Sequence, residues 1–276
     1  TAAVSDVASR AGINVISFSN NGAVAGGRVF VLGLTFENTA NRLVKQAIAN
    51  GQQRIAIVHQ QGIEGEAGRT AVENAILNNG GQVATITNYP LNIAAMSEQT
   101  PAIAAELKTS GANAVFFTDS PLQGLGIITA ALSSESYRSG REAQFLGLTR
   151  WDASTDVLQQ PNLQGGWFAV PDPDLMSQFD ARYLATYGAE PHNLSPIAYD
   201  AVAAVGAMVA SAVAEGSAEP FSLARMTNAA GFAGSMGVFR FLPNGQNERA
   251  LAIMQVNSGT ATMISPAPRG FVTYGF

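Results

Sequence analysis

The chain has 276 residues, 47% of them hydrophobic and 13% charged, with a formal net charge of −5. That is ample apolar material for one large or two medium domains, while the negative balance argues against a nucleic-acid-binding surface. No window approaches about 18 continuous apolar residues, which argues against a membrane span. The absence of cysteine removes disulfides, thiolate metal sites and cysteine nucleophiles together.

Two histidines, His59 and His192, lie far apart, so a histidine metal site is not expected and a Ser–His–Asp triad would have to use one of them. No secretory signal is visible, and the first residue is Thr1 rather than methionine, which reads as a processed or trimmed chain.

The opening TAAVSDVASRAG has helical character. INVISFS (13–19) and RVFVLGL (28–34), rich in β-branched and apolar residues, read as strands. Thr35 then reads as the N-cap of a helix that places Leu43, Val44, Ala47 and Ile48 on one face and closes at Gly51. RIAIVH (54–59) is a buried strand, followed by a helix with Ala71, Val72, Ala75 and Ile76 on one stripe, and QVATITNY (82–89) is the next strand.

Thr100-Pro101 is expected to start a helix running to about Lys108, and Ser120-Pro121 another. ANAVFFTD (112–119), AQFLGLT (143–149) and GGWFAVP (165–171) read as strands, with helices over 174–187, 197–214 and, shorter, 221–229. From Gly237 the pattern becomes an antiparallel meander, with turns at Pro243-Asn244-Gly245 and Asn257-Ser258-Gly259. Strand–helix alternation predicts doubly wound, mostly parallel sheets, with more strands than one layer holds, hence two α/β domains. Because such a domain normally begins with a strand and this chain opens on a helix, the first domain is expected to be incomplete at its N-terminus.

Gly62, Gly65 and Gly68 punctuate the passage from the third strand to its helix. Their spacing, G-x-x-G-x-x-G without a following lysine, matches neither the dinucleotide fingerprint nor the P-loop. Close strand–helix packing is the simpler reading. The carboxyl ends of the strands, where open α/β sheets bind ligands, hold small hydroxyls, amides, a few carboxylates, Arg150 and Trp151. That mixture suits hydrogen bonding to a small polar ligand. It supplies no nucleophile with its base: Ser120 lacks a G-x-S-x-G context and sits where an N-cap serine belongs.

The succession RVFVLGLT-FENTANRLVKQAI, QRIAIVH, GIEGEAGRTAVENAILNNGGQVATITNYP and GANAVFFTD resembles the type I periplasmic binding proteins, nearest to the leucine/isoleucine/valine receptors of ABC transporters. The resemblance covers nearly all of 1–256. It implies two α/β lobes joined by three hinge crossings, with a small polar, amino-acid-like ligand in the cleft and a membrane permease as partner. The first lobe would be 1–34 plus 170–235 and the second 35–169, with 236–276 as a meander near the hinge and a tail.

Carried over by position, Ser19 and Asn21 fall where these receptors contact the ligand carboxylate and amine. Glu64 falls where many carry a ligand-contacting tyrosine, and Asp119 and Ser120 near a second aromatic position. Thr149 falls at the acidic residue that usually pairs with the ligand ammonium, with Glu64 or Asp119 as substitutes. Arg150 and Trp151, read from the strand end itself, complete the candidate set: Arg150 pairs with a ligand carboxylate or phosphate or simply with Asp152 or Asp156, and Trp151 stacks on a ligand or covers the lobe edge. No metal, cofactor or catalytic residue is implied, and the location would be periplasmic or anchored at the envelope.

A second resemblance rests on LQGGWFAVPDPDLMSQFDARYLATYGAEPHNLSPIAYDAV, GFAGSMGVFRFLPNGQNERALAIMQV and the closing PAPRGF. These runs are similar to penicillin-binding protein activators, envelope lipoproteins of the same fold that partner a peptidoglycan synthase. Within these runs Asp200 reads as a first-turn helix residue, and Asp172 and Asp174, beside prolines, as residues of the hinge that the two-lobe resemblance implies.

Overall fold

The structure is a computed structural model and describes residues 2–120 and 123–271. The chain divides into two compact units: unit 1 is Thr1–Asn38, Pro171–Ala252 and Pro266–Phe276, and unit 2 is Thr39–Val170 and Ile253–Ser265. The chain therefore passes between units at 38/39, 170/171, 252/253 and 265/266, one passage more than the three hinge crossings implied by resemblance.

In chain order, α1 (Ala2–Ala11) leads to the short strands β1 (Val15–Ser17) and β2 (Val29–Val31) and to α2 (Phe36–Ala49). Then come β3 (Arg54–Gln60), α3 (Ile63–Asn78), β4 (Gln82–Tyr89), α4 (Ile93–Ser110) and β5 (Ala114–Phe117). They are followed by α5 (Leu125–Ser134), β6 (Gln144–Gly147), the one-turn α6 (Thr155–Leu158) and β7 (Trp167–Val170). Unit 1 resumes with α7 (Pro173–Tyr187), α8 (Ser195–Ala214), the one-turn α9 (Leu223–Met226), β8 (Phe232–Gly234), β9 (Gly237–Phe241) and β10 (Asn247–Arg249). The hairpin β11 (Ala252–Asn257) and β12 (Thr260–Ser265) precedes the tail.

Two expected helix starts move. Thr100-Pro101 is not a helix start: α4 begins at Ile93, capped by the Asn92 side chain, which accepts the Ala95 N–H at 3.1 Å, and it runs through Pro101. The buried stripe Met96, Thr100, Ile103, Ala104 and Leu107 continues across the proline. Burial of that stripe outweighs the missing backbone donor. The helix after β5 begins at Leu125 rather than Ser120, and Pro121 lies outside the described residues. The expected 236–276 meander is also divided. β8 to β10 form a three-stranded antiparallel sheet in unit 1, whereas β11 and β12 join the sheet of unit 2.

The unit 2 sheet has the order β12-β11-β7-β6-β5-β3-β4. The pairs β3–β4, β3–β5, β5–β6 and β6–β7 are parallel, so all five carboxyl ends meet at one edge. Counted from β3, the parallel strands stand in the doubly wound order 2-1-3-4-5, whose switch point falls between its first and third strands, here β3 and β5. Parallel strands are buried on both faces and read as continuous apolar runs. AVFF in β5 and QFLG in β6 are buried at every position.

Unit 1 has the parallel pair β1–β2 and a core of Phe30, Leu32, Ile197, Ala204, Met208, Phe239 and Phe241. α8 is long and apolar enough to cross a membrane by length and composition. Its Pro196, Ile197, Asp200, Ala201, Ala204, Met208 and Ala212 are instead buried within the unit.

Asp200 is fully buried, and its Oδ1 accepts the Ser235 N–H at 2.6 Å and the Ser235 hydroxyl at 2.8 Å. Arg249 Nη1 stands 3.5 Å from its Oδ2, and the same guanidinium donates to the Leu32 carbonyl from Nε (3.1 Å) and Nη2 (2.9 Å). Asn247 donates to the carbonyls of Val31 and Gly33, and Asn38 donates to Asn247 Oδ1 and Thr35 Oγ1 while accepting the Arg249 N–H. This network ties the end of β2, the first turn of α2, α8 and β10 together. Burial raises the Asp200 carboxyl and lowers the Arg249 guanidinium, each opposed by the other's charge.

Arg249→Ala leaves Asp200 buried without its countercharge. The expected loss is about 3–5 kcal/mol, read as a lowered urea midpoint. A loss no larger than that of an exposed-site substitution would show that the pair does not hold unit 1.

Candidate functional site

The carboxyl edge of the unit 2 sheet gathers Gln60 and Gln61 after β3, Tyr89 at the end of β4, Thr118 to Ser120 after β5 and Leu148 to Arg150 after β6. Asp119, fully buried, lies at its centre. Its Oδ2 accepts the Tyr89 hydroxyl at 2.7 Å, and its Oδ1 accepts the Ser120 N–H at 2.6 Å. The Gly124 N–H donates to the same carboxylate. The Thr149 hydroxyl donates to the Asp119 carbonyl at 3.0 Å. Since β3 separates β4 from β5 in the sheet, the Tyr89–Asp119 bond reaches past the end of β3.

Burial raises the Asp119 carboxyl above its ordinary range and the nearby Glu64 charge pushes the same way, while the three donors pull it back. The Tyr89 phenol is raised by burial and by Asp119. Asp119 and Thr149 therefore serve first as the internal tie of the edge.

Glu64 lies exposed in the first turn of α3 and makes no hydrogen bond or ion pair among the described residues. Gly62 caps that helix with φ 109° and no side-chain cap. A Cβ on Gly65 would run into the Gln60 carbonyl and one on Gly68 into Leu148 and Thr118, so these two glycines let α3 press onto the sheet. That matches the packing reading of the glycine spacing.

Arg150 holds Asp152 through two bonds, Nε to Oδ1 at 2.9 Å and Nη2 to Oδ2 at 2.6 Å, with its side chain 47% exposed. The Arg150 guanidinium thus already has a carboxylate partner. Trp151 corrects the expectation of a stacking surface. It is fully buried, packs against Phe168 with centroids 6.0 Å apart, and occupies the space where side chains on Gly147 and Gly166 would stand. A strand-end tryptophan beside two glycines fills the room they leave, so no ring face remains for a ligand.

In unit 1, Ser19 is half-buried and Asn21 exposed. The Ser19 hydroxyl accepts the Asn21 N–H at 3.1 Å, and Asn21 Oδ1 accepts the Ala23 N–H at 2.9 Å as the cap of a short 3-10 turn. The loop thereby holds its own shape after β1.

Two residues escaped the sequence reading. Tyr89 looked like a strand residue, although its place before Pro90 marks a strand end. Gln60 is 3% exposed, donates weakly to Gln123 Oε1 at 3.5 Å, and leaves its own Oε1 without a partner. Of the residues singled out beyond the candidate set, Asp172 caps α7 by accepting the Asp174 and Leu175 N–H groups, and its other oxygen pairs with Arg269 at 3.2 Å. Among the described residues no group of three or more histidine, aspartate or glutamate side chains is placed to hold a metal.

Two outcomes follow. Trp151→Ala is expected to cost about 3–5 kcal/mol through the cavity it leaves, measured by chemical unfolding; a near-neutral result would show that the ring is not core. The raised Asp119 carboxyl means that the fold binds this proton more tightly than the unfolded chain does. Its contribution to stability is therefore complete below the ordinary carboxylate value of about 3.9 and is lost as pH rises through the raised value. Asp119→Asn should remove that decline from a series of unfolding midpoints against pH, and an unchanged slope would contradict the assignment.

The family model for periplasmic binding proteins matches residues 1–261. Among solved structures, the chain is similar to a putative branched-chain amino acid ABC transporter protein from Rhodospirillum rubrum, with 18% identity, a TM-score of 0.75 and coverage of 95% of this chain and 76% of that one. A substrate-binding protein from Desulfitobacterium hafniense in complex with Leu aligns at 18% identity and a TM-score of 0.66, with the same coverage. A solute-binding protein from Rhodopseudomonas palustris BisB5 in complex with 3,4-dihydroxybenzoic acid aligns at 15% identity and a TM-score of 0.58, over 97% of this chain and 76% of that one. No curated protein matches the chain. The resemblance to penicillin-binding protein activators finds no support in these comparisons. The strand order of unit 2, the division into two α/β units and a family match across 1–261 lead to one conclusion: the chain belongs to the periplasmic binding protein family, with the type I fold.

Proposed function

We propose that this chain is an extracytoplasmic solute-binding protein that captures a small polar, amino-acid-like ligand and delivers it, in the periplasm, to the membrane permease of an ABC transporter. Family membership over residues 1–261 carries this reading. The polar carboxyl edge of the unit 2 sheet supports it, because ligands of open α/β sheets bind at that edge. The Desulfitobacterium relative holds leucine and the Rhodopseudomonas relative 3,4-dihydroxybenzoic acid, both small solutes. The candidate contacts are Glu64, Ser120, Thr149 and Arg150 in unit 2, with Asp119 and Trp151 as the supports beneath them, and Ser19 and Asn21 in unit 1. The reading assigns no reaction: the edge offers hydrogen-bonding groups without an activated nucleophile.

A thermal-shift screen over amino acids, small carboxylates, nucleobases and peptidoglycan fragments tests the proposal. A solute present at about 100 times its dissociation constant should add roughly 2.7 kcal/mol of stability, seen as a raised melting temperature. If no small solute raises it while a peptidoglycan synthase is captured, the receptor reading fails.

A further inference from the structure

Unit 1 holds a groove that the solute-binding reading leaves unused. Asn14 and Arg28 stand immediately before β1 and β2, and the Val15 N–H donates to the Arg28 carbonyl at 2.8 Å. The two strands are parallel, so both residues mark the amino edge of the pair. Ligands of open α/β sheets bind at the opposite, carboxyl edge. Two adjoining cavities, of about 820 Å³ and about 380 Å³, share Gly12, Asn14, Arg28 and Phe221 as lining residues. Every lining residue belongs to unit 1.

The smaller cavity is mostly apolar. Met208 and Met226 line it as buried residues, with Ile16 and Val205 partly buried beside them, while Ile13 and Phe221 remain exposed. Unbranched, flexible methionine side chains adapt to an alkyl chain. Arg28 is the one charged residue in this lining. Its Nη1 donates to Asn14 Oδ1 at 3.0 Å, and Asn14 Nδ2 donates to the Phe221 carbonyl at 2.8 Å. Asn14 thus positions the guanidinium over the apolar lining. Arg28 makes no ion pair among the described residues, so most of its five N–H donors are left over. The larger cavity adds one carboxylate, that of the exposed Glu219.

We propose that this groove is a second ligand site, separate from the carboxyl edge of unit 2, and that it takes an unbranched alkyl carboxylate. A groove with an apolar lining and a few convergent polar groups is the usual form of a small-molecule site. The carboxylate accepts from Arg28 in a charge-assisted pair, and the alkyl chain is buried against Met208 and Met226, where each methylene removed from water favours binding. Charge selects an anion over a cation, because Arg28 lines both cavities and Glu219 only the larger. The proposal goes beyond the solute-binding reading and does not rest on it.

The test titrates the wild-type chain, Arg28→Gln and Glu219→Gln calorimetrically with hexanoate, octanoate and decanoate, and with 1-octanol and octylammonium. Arg28 and Glu219 are exposed, so neither substitution unsettles the fold, and urea midpoints check this. Affinity is expected to rise roughly fourfold with each added methylene. Arg28→Gln should weaken octanoate by about tenfold or more and remove its advantage over 1-octanol, while Glu219→Gln leaves octanoate unchanged or tighter. A wild-type chain that does not bind octanoate, or one that binds it no more tightly than Arg28→Gln does, overturns the site. Octylammonium binding more tightly than octanoate, and weakened by Glu219→Gln, overturns the carboxylate. Sedimentation addresses the other occupant: a wild-type dimer that Phe221→Asp converts to a monomer, without octanoate binding, would assign the groove to a second copy of the chain.

Discussion

A carboxylate taken out of water must be met by donors, and Asp119 is met from several directions. The Tyr89 hydroxyl reaches it past the end of β3, the backbone after β5 closes on its other oxygen, and Thr149 holds its carbonyl from the β6 side. Parallel pairing brings the strand ends to one edge, and this buried group fastens three of them there. The hydrogen-bonding capacity that remains at the edge is what that tie leaves over. The Asp119 carboxylate and the Thr149 hydroxyl proton are taken up in it, while the Thr149 oxygen can still accept. Just outside it, Glu64 is exposed and Gln60 Oε1 is buried without a hydrogen-bond partner.

Unit 1 is organised by the same logic with both charges present. Asp200 and Arg249 are buried together, and each is further supplied with backbone partners, so that neither charge is left bare. A pair of this kind contributes little net stability compared with an apolar replacement, but removing one member is costly. Its value lies in joining segments far apart in sequence, since Arg249 touches the carbonyl of Leu32 across 217 positions. The two-stranded β1–β2 pair would be marginal by itself. It is held through this network and through the aromatic cluster of Phe30, Phe239 and Phe241.

Much of the fold was legible in the chain. β4 was read to its ends, 82–89, because alternation and flanking glycines are local signals. The family resemblance, drawn from diffuse runs rather than sharp motifs, matched the family model over 1–261. The misreadings share a cause. Thr100-Pro101 carries the local signature of a helix start, yet Asn92 caps the helix and the buried stripe runs on through the proline. Trp151 looked like a ligand surface because it follows a strand, but the space at Gly147 and Gly166 absorbs it. In both cases packing against distant residues overruled a nearby pattern.

By itself the sequence determined the alternation of strands and helices, the binding-protein family and the polar character of the strand ends. The alternation and the polar strand ends follow from periodicities and neighbours a few residues apart, and the family from the resemblance of whole runs of sequence. Which of those polar groups are spent and which are free was decided only by the tertiary structure. Tyr89 and Asp119 are 30 positions apart and so are Asp119 and Thr149, and no spacing rule links either pair. Strand order alone brings them within hydrogen-bonding distance, and satisfying a buried carboxylate then commits the groups it reaches.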